Sequence, residues 1–152
     1  MKPGEIIIYH TIRIIIGAIF IYASVDKIIH PQAFAQAVFN HQILPDQLIN
    51  LTAVVLPWAE LTLGLCLLFN RFVPGASALA AGLMVIFLSM ITFNLIRGLD
   101  VGCGCFSTSA ADSMTVLTWL RDISILALSA GLVWLTRRRF NQHVVLKANE
   151  GV

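Results

Sequence analysis

Hydrophobic positions fall into four long runs separated by short polar stretches. The runs extend from Ile6 to about Ile29, Leu48 to about Phe69, Pro74 to about Ile96, and Met114 to about Thr136. About 20 apolar residues in helical form cross a bilayer, so each run is long enough to span. The pattern predicts an all-α integral membrane four-helix bundle over residues 1–140, with residues 141–152 a loose, polar, cytoplasmic tail. Pro31 disfavours helix at His30 and ends the first run. In the connection over 31–46, Phe34 and Val38 recur at helical spacing, which predicts a short helix lying in the interface. Gly17, Ala18, Ala23 and Ser24 in the first span offer small faces for close helix contact, as do the small residues from Gly75 to Gly82 in the third. Asn70-Arg71 reads as a tight turn.

Composition strengthens this picture. Of 152 residues, 58% are hydrophobic and 12% charged, against about 45–50% and 25% in soluble domains. A net charge of +2 gives no basis for a nucleic-acid partner, and the apolar composition implies the lipid bilayer as partner. The first apolar run is too long for the h-region of a cleavable signal peptide, so it is expected to stay as an anchor. The placement of basic residues says more than their sum. Lys2, Arg13, Arg71, Arg137, Arg138, Arg139 and Lys147 fall on one side, and Lys27, Arg97 and Arg121 on the other. By the positive-inside rule the termini are cytoplasmic, and the 31–46 and 97–113 connections face outward.

Charges inside the spans are the next candidates. Arg13 lies about two turns inside the first span and is expected to snorkel to the near headgroups. Pro57 removes a helix hydrogen bond and is expected to kink the second span. Glu60 lies deep in that span, where a carboxylate is costly unless paired. It reads equally as a functional group or as a packing ion pair. Its expected partner is Arg121 or Lys27, with Arg121 favoured because its planar fork suits a carboxylate. Lys27, Glu60, Arg121 and Asp122 thus form a candidate structural charge network.

The remaining chemistry lies in Val101-Gly102-Cys103-Gly104-Cys105-Phe106. Two thiols one residue apart can form a disulfide, hold a soft metal, exchange with another protein's thiols, or lie inert in a loop. Closing a Cys-x-Cys ring requires a bend at the middle residue, which Gly104 permits. The strained ring would suit exchange better than stapling. Two thiolates are too few for a structural zinc site unless His30 or His41 joins them, so no metal is assigned. On the outward side the pair meets an oxidising compartment, and Lys27, Arg97 and Arg121 there would favour thiolate. Cys66, near the cytoplasmic end of the second span, is a poor partner and reads as a small buried apolar residue.

Four stretches together carry a resemblance: Ala23-Ser24-Val25-Asp26-Lys27 with His30-Pro31 and Phe34; Leu56-Pro57-Trp58-Ala59-Glu60-Leu61 with Gly64; Cys103-Gly104-Cys105-Phe106; and Leu120-Arg121-Asp122. In order and spacing the chain, from Gly17 to the fourth span, resembles the DoxX-like membrane protein superfamily and within it the methylamine utilisation MauE family. Ser107 stands where such families commonly have glycine. The resemblance implies a bacterial inner-membrane protein associated with periplasmic redox work. It also implies a link to maturation of a disulfide-rich dehydrogenase subunit, alongside a thioredoxin-like partner.

Two functional readings follow. In the first, Cys103 and Cys105 are the reacting residues of thiol–disulfide exchange with a periplasmic thioredoxin-like protein, and the bundle connects to quinone as a compatible cofactor. In the second, the protein is a non-enzymatic accessory or assembly subunit of a larger membrane complex. Whether it is an enzyme is left open at this level.

Overall fold

The computed structural model describes residues 3–98 and 116–150. Cys103 and Cys105 lie outside the described residues, as does the rest of the connection around them. Five helices follow in order: α1 Pro3–Ile29, α2 Pro31–Asn40, α3 Asp46–Leu68, α4 Val73–Ile96 and α5 Val116–Glu150. Four of them, all but α2, contain segments long and apolar enough to cross a membrane.

The four spans form a ring. α1 packs against α3, α3 against α4, α4 against α5, and α5 closes against α1. The diagonal backbones stand further apart, and the Lys27 ammonium of α1 reaches the Phe87 ring of α4 across one diagonal. The outer surface is apolar, with Ile7, Tyr22, Leu51, Trp58, Leu79 and Ile86 all exposed. The interior combines an apolar core, with Ile16, Phe20, Leu67 and Leu132, and buried polar groups: Arg13, Ser24, Lys27, Glu60, Ser77, Asn94, Asp122 and Ser129. A hydrocarbon solvent selects this placement, since polar side chains in a membrane face the bundle interior.

The tightest seam is α1 against α3. Gly17 and Gly64 face each other there. A Cβ built on Gly64 would stand 2.8 Å from Ile21 Cγ1 and 2.9 Å from the Gly17 carbonyl oxygen. Lipid tails are as apolar as leucine, so close backbone approach through small residues is a main source of association. Dispersion contacts then accumulate over the seam.

The helix ends follow from local sequence. Asn70, at φ +57°, ends α3 in a left-handed turn. Its N–H reaches the Leu67 carbonyl at 3.2 Å, and that of Arg71 reaches Cys66 at 2.8 Å. This is the Schellman pattern, which asparagine tolerates. Gly98, at φ +67°, ends α4 in the same conformation. Pro31 takes the first turn of α2, where no N–H is needed. Phe34 and Val38 of α2 are buried against Ile49 and Ala53 of α3, so the short amphipathic helix lies along the first half of α3.

Two local expectations change. α5 runs on to Glu150, past Phe140 where the sequence reading places a loose tail. Gln142, Lys147, Ala148 and Glu150 are good helix formers, and the helix already exists to be extended. Arg13 does not snorkel. Its side chain is buried and donates from Nη1 to the Leu67 carbonyl at 2.5 Å and the Leu68 carbonyl at 3.2 Å. The last carbonyls of α3 lack helical partners and carry the negative end of the helix dipole, so a cation is held there rather than at the headgroups.

Candidate functional site

At the opposite end of the bundle from Arg13 lies a buried ion pair. Lys27 sits in the last turn of α1. Its Nζ donates to both carboxylate oxygens of Glu60, each at 2.8 Å. The two side chains are 1% and 2% exposed. The faces of Phe34 from α2 and Phe87 from α4 lie 5.1 Å and 5.2 Å from the same ammonium. Four elements therefore converge on one nitrogen. The carboxylate satisfies its charge, and the ring faces, negative through their quadrupoles, add cation–π attraction in place of water.

Antiparallel geometry explains why Lys27 and not Arg121 reaches Glu60. Gly17 and Gly64 mark a common level of α1 and α3. From that level Lys27 lies ten residues, or about 15 Å, toward this end, and Glu60 four residues, or about 6 Å. Helical side chains lean toward their own N-termini, so the two lean toward each other and the lysine stem closes the gap. Arg121 belongs to α5, which lies across the diagonal from α3. It faces an open groove between α1 and α5, with Ala18, Tyr22 and Ser124. There its Nε donates to Asp122 Oδ1 at 3.0 Å. Within the sequence-derived network the structure shows the pairs Lys27 with Glu60 and Arg121 with Asp122.

Pro57 is buried one turn before Glu60. With no N–H it leaves a helix carbonyl without its usual donor, and α3 nevertheless continues as one helix through it. His41 and Asn94 form a further buried pair, in which the Asn94 side-chain N–H donates to His41 Nδ1. His30 lies exposed beside Asp26, at 3.3 Å. Trp119 Nε1 donates to Thr92 Oγ1 at 3.2 Å and joins the start of α5 to the end of α4. Cys66 is half-buried against the main core, at the other end of α3. The sequence reading missed the His41–Asn94 pair; its one available signal was an asparagine in the last turn of an apolar span.

Gly98 and Val116 are the last and first described residues flanking the Cys-Gly-Cys connection. Both belong to the end of the bundle that holds the Lys27–Glu60 and His41–Asn94 pairs. Chemically, a buried and fully coordinated ion pair is an organising element.

A protein family described as "Methylamine utilisation protein MauE" matches residues 5–135. Among curated proteins, the "Methylamine utilization protein MauE" of Paracoccus denitrificans is 29% identical over 122 residues, covering 80% of this chain and 66% of that protein. That of Methylorubrum extorquens is 31% identical over 114 residues, covering 74% and 61%. That of Paracoccus versutus is 29% identical over 128 residues, covering 84% and 69%. The chain therefore spans roughly two thirds of the length of these relatives. No solved structure matches it.

Proposed function

The chain belongs to the MauE family, and on that premise we propose that it is an accessory inner-membrane protein of methylamine utilisation whose Cys103 and Cys105 exchange thiols and disulfides with a periplasmic thioredoxin-like partner. The broader likeness to DoxX-like proteins belongs to the same reading. The observation that carries it is positional. The Cys-Gly-Cys connection joins the α4 and α5 ends that the positive-inside count assigns to the oxidising side.

The step balances without an outside reagent. The thiolate of one cysteine attacks a partner disulfide, forming a mixed disulfide and releasing one partner thiolate. The second cysteine attacks the mixed bond. The products are a Cys103–Cys105 disulfide and a partner dithiol, and the reverse reaction oxidises the partner. The buried Lys27–Glu60 pair holds α1, α2, α3 and α4 in place around that end, which supports a fixed platform for the thiols. The same pair also supports the second reading, an assembly subunit without chemistry of its own, since all of its polar atoms are committed to packing.

The experiment uses Cys103→Ser and Cys105→Ser single variants in host membranes. Each is expected to accumulate a covalent adduct with a periplasmic protein that dissolves on reduction. Growth on methylamine is expected to fail with either variant, while the amount of protein in the membrane stays normal. Full growth with both cysteines replaced leaves the assembly role as the answer.

A further inference from the structure

We propose that the end of the bundle away from the Lys27–Glu60 pair holds an anionic phospholipid, whose phosphate lies against Arg138 and Arg139 at the close of the α5 span. The inference does not depend on the thiol chemistry. The membrane-crossing segment of α5 is Trp119–Asn141, so Arg137, Arg138 and Arg139 occupy its last turns. That depth is where lipid phosphates stand. The helix continues to Glu150, so the three arginines sit on a continuous rod rather than on a fraying end.

These cations are not neutralised within the described protein. At the other end Lys27 has Glu60 and Arg121 has Asp122. Among the described residues no carboxylate pairs with Arg137, Arg138 or Arg139. The sequence adds Lys2, Arg71 and Lys147 on the same side, against Glu5 and Glu150. A basic cluster at the membrane border without protein counter-ions draws its anions from the lipid headgroups.

Two of the guanidiniums are preorganised for a phosphate. The Arg138 guanidinium carbon lies 3.7 Å from the ring centroid of Trp134, and that of Arg139 lies 4.3 Å from the ring centroid of Tyr9 in α1. An aromatic face holds a guanidinium through its quadrupole and makes no demand on the N–H donors. Those donors suit the paired oxygens of a phosphate. A side chain already held on a ring loses less freedom when it binds. The surroundings fix the class of ligand. Trp134 is 53% exposed on the apolar outer surface, one turn deeper in the span than Arg138. A ligand there meets cationic charge and lipid-facing apolar surface together, which fits a phospholipid and not a soluble anion.

The test uses the full chain in detergent micelles, titrated with dioleoylphosphatidylglycerol or dioleoylphosphatidylcholine. The two lipids share acyl chains and phosphate and differ in net charge. Native mass spectrometry counts the bound lipid. Phosphatidylglycerol is expected to bind about thirtyfold more tightly, because each of the two arginines contributes about fivefold at an anionic membrane surface. Arg138→Gln is expected to lower that preference about fivefold, and Arg138→Gln with Arg139→Gln to abolish it. Trp134→Leu keeps the charges and is expected to weaken the site by releasing Arg138. Arg138 and Trp134 are both exposed, so these variants leave the core intact. Arg97→Gln is the matched control. Arg97 is exposed at the opposite end, 5.3 Å from the Phe93 ring centroid, and its loss is expected to leave the preference unchanged. Equal affinity for the two lipids overturns the proposal, as does a preference that survives the double variant. An equal drop in Arg97→Gln reduces the preference to diffuse charge and overturns it too. So does binding of polyglutamate in place of either lipid, which assigns the arginines to an acidic soluble partner.

Discussion

Replacing Lys27 by methionine leaves the Glu60 carboxylate inside the bundle without its cation. The carboxylate receives two hydrogen bonds at 2.8 Å from one ammonium, and its side chain is 2% exposed. Removing one member of a buried pair costs about 3–5 kcal/mol, because the other charge stays buried and unpaired. Lys27→Met also forfeits the two ring contacts at 5.1 Å and 5.2 Å, each worth about 0.5–2 kcal/mol when desolvated. It is therefore expected to fall at the upper end of that range. Glu60→Gln keeps an oxygen for Lys27 and is expected to be milder than Glu60→Ala. The double variant Lys27→Met, Glu60→Leu removes both charges and fills the space with apolar atoms, which is often neutral. It is expected to recover most of the single-variant loss. The assay is a double-mutant cycle by steric-trapping unfolding in bicelles, which reads each free energy in a lipid environment. With each single loss at about 3–5 kcal/mol and the double variant close to neutral, the expected coupling is larger than either single loss. Additive losses, with no recovery in the double variant, would refute the shared-charge account. Arg121→Ala supplies the control and is expected to leave the Glu60 energetics unchanged.

Other outcomes follow from local geometry. Gly64→Ala places a Cβ against the Gly17 backbone oxygen and Ile21, and is expected to destabilise the bundle by about 1–3 kcal/mol in the same assay. Gly131→Ala meets no atom within 4 Å and should be neutral or slightly stabilising. Arg13→Ala strips the Leu67 and Leu68 carbonyls of a charged donor; a loss of about 1.5–3 kcal/mol is expected, with Arg13→Lys intermediate because a lysine reaches the carbonyls without the fork. An impermeant maleimide applied to reduced spheroplasts is expected to label Cys103 and Cys105 and spare Cys66; labelling only after lysis would reverse the orientation.

The spans are legible in the sequence because lipid imposes length and apolarity on every one of them. The short α2 is legible too, through the spacing of Phe34 and Val38. The partner of Glu60 is not, and the reason is physical. Depth along a single helix can be counted from sequence, and by depth Arg121 looks well placed. Which helices are neighbours and which face each other diagonally depends on the ring closing, and no local pattern records that order. Arg13 misleads for a related reason. Its position near a membrane face suits snorkelling, but the helix-end carbonyls that capture it belong to α3, more than fifty residues away in the chain. His41 and Asn94 look like two ordinary polar residues until the chain just past α2 brings His41 to Asn94 in the last turn of α4.

Synthesis gives the Lys27–Glu60 pair a temporal meaning. α1 leaves the ribosome with its lysine thirty-three residues ahead of the carboxylate that will receive it. Until α3 emerges, that ammonium can rest only among headgroups at the end of its own helix. The arrival of Glu60 draws it inward. Phe34, already translated by then, can close over it at once, whereas Phe87 must wait for α4. The first hairpin therefore cannot settle fully into lipid before the third helix in the chain is made.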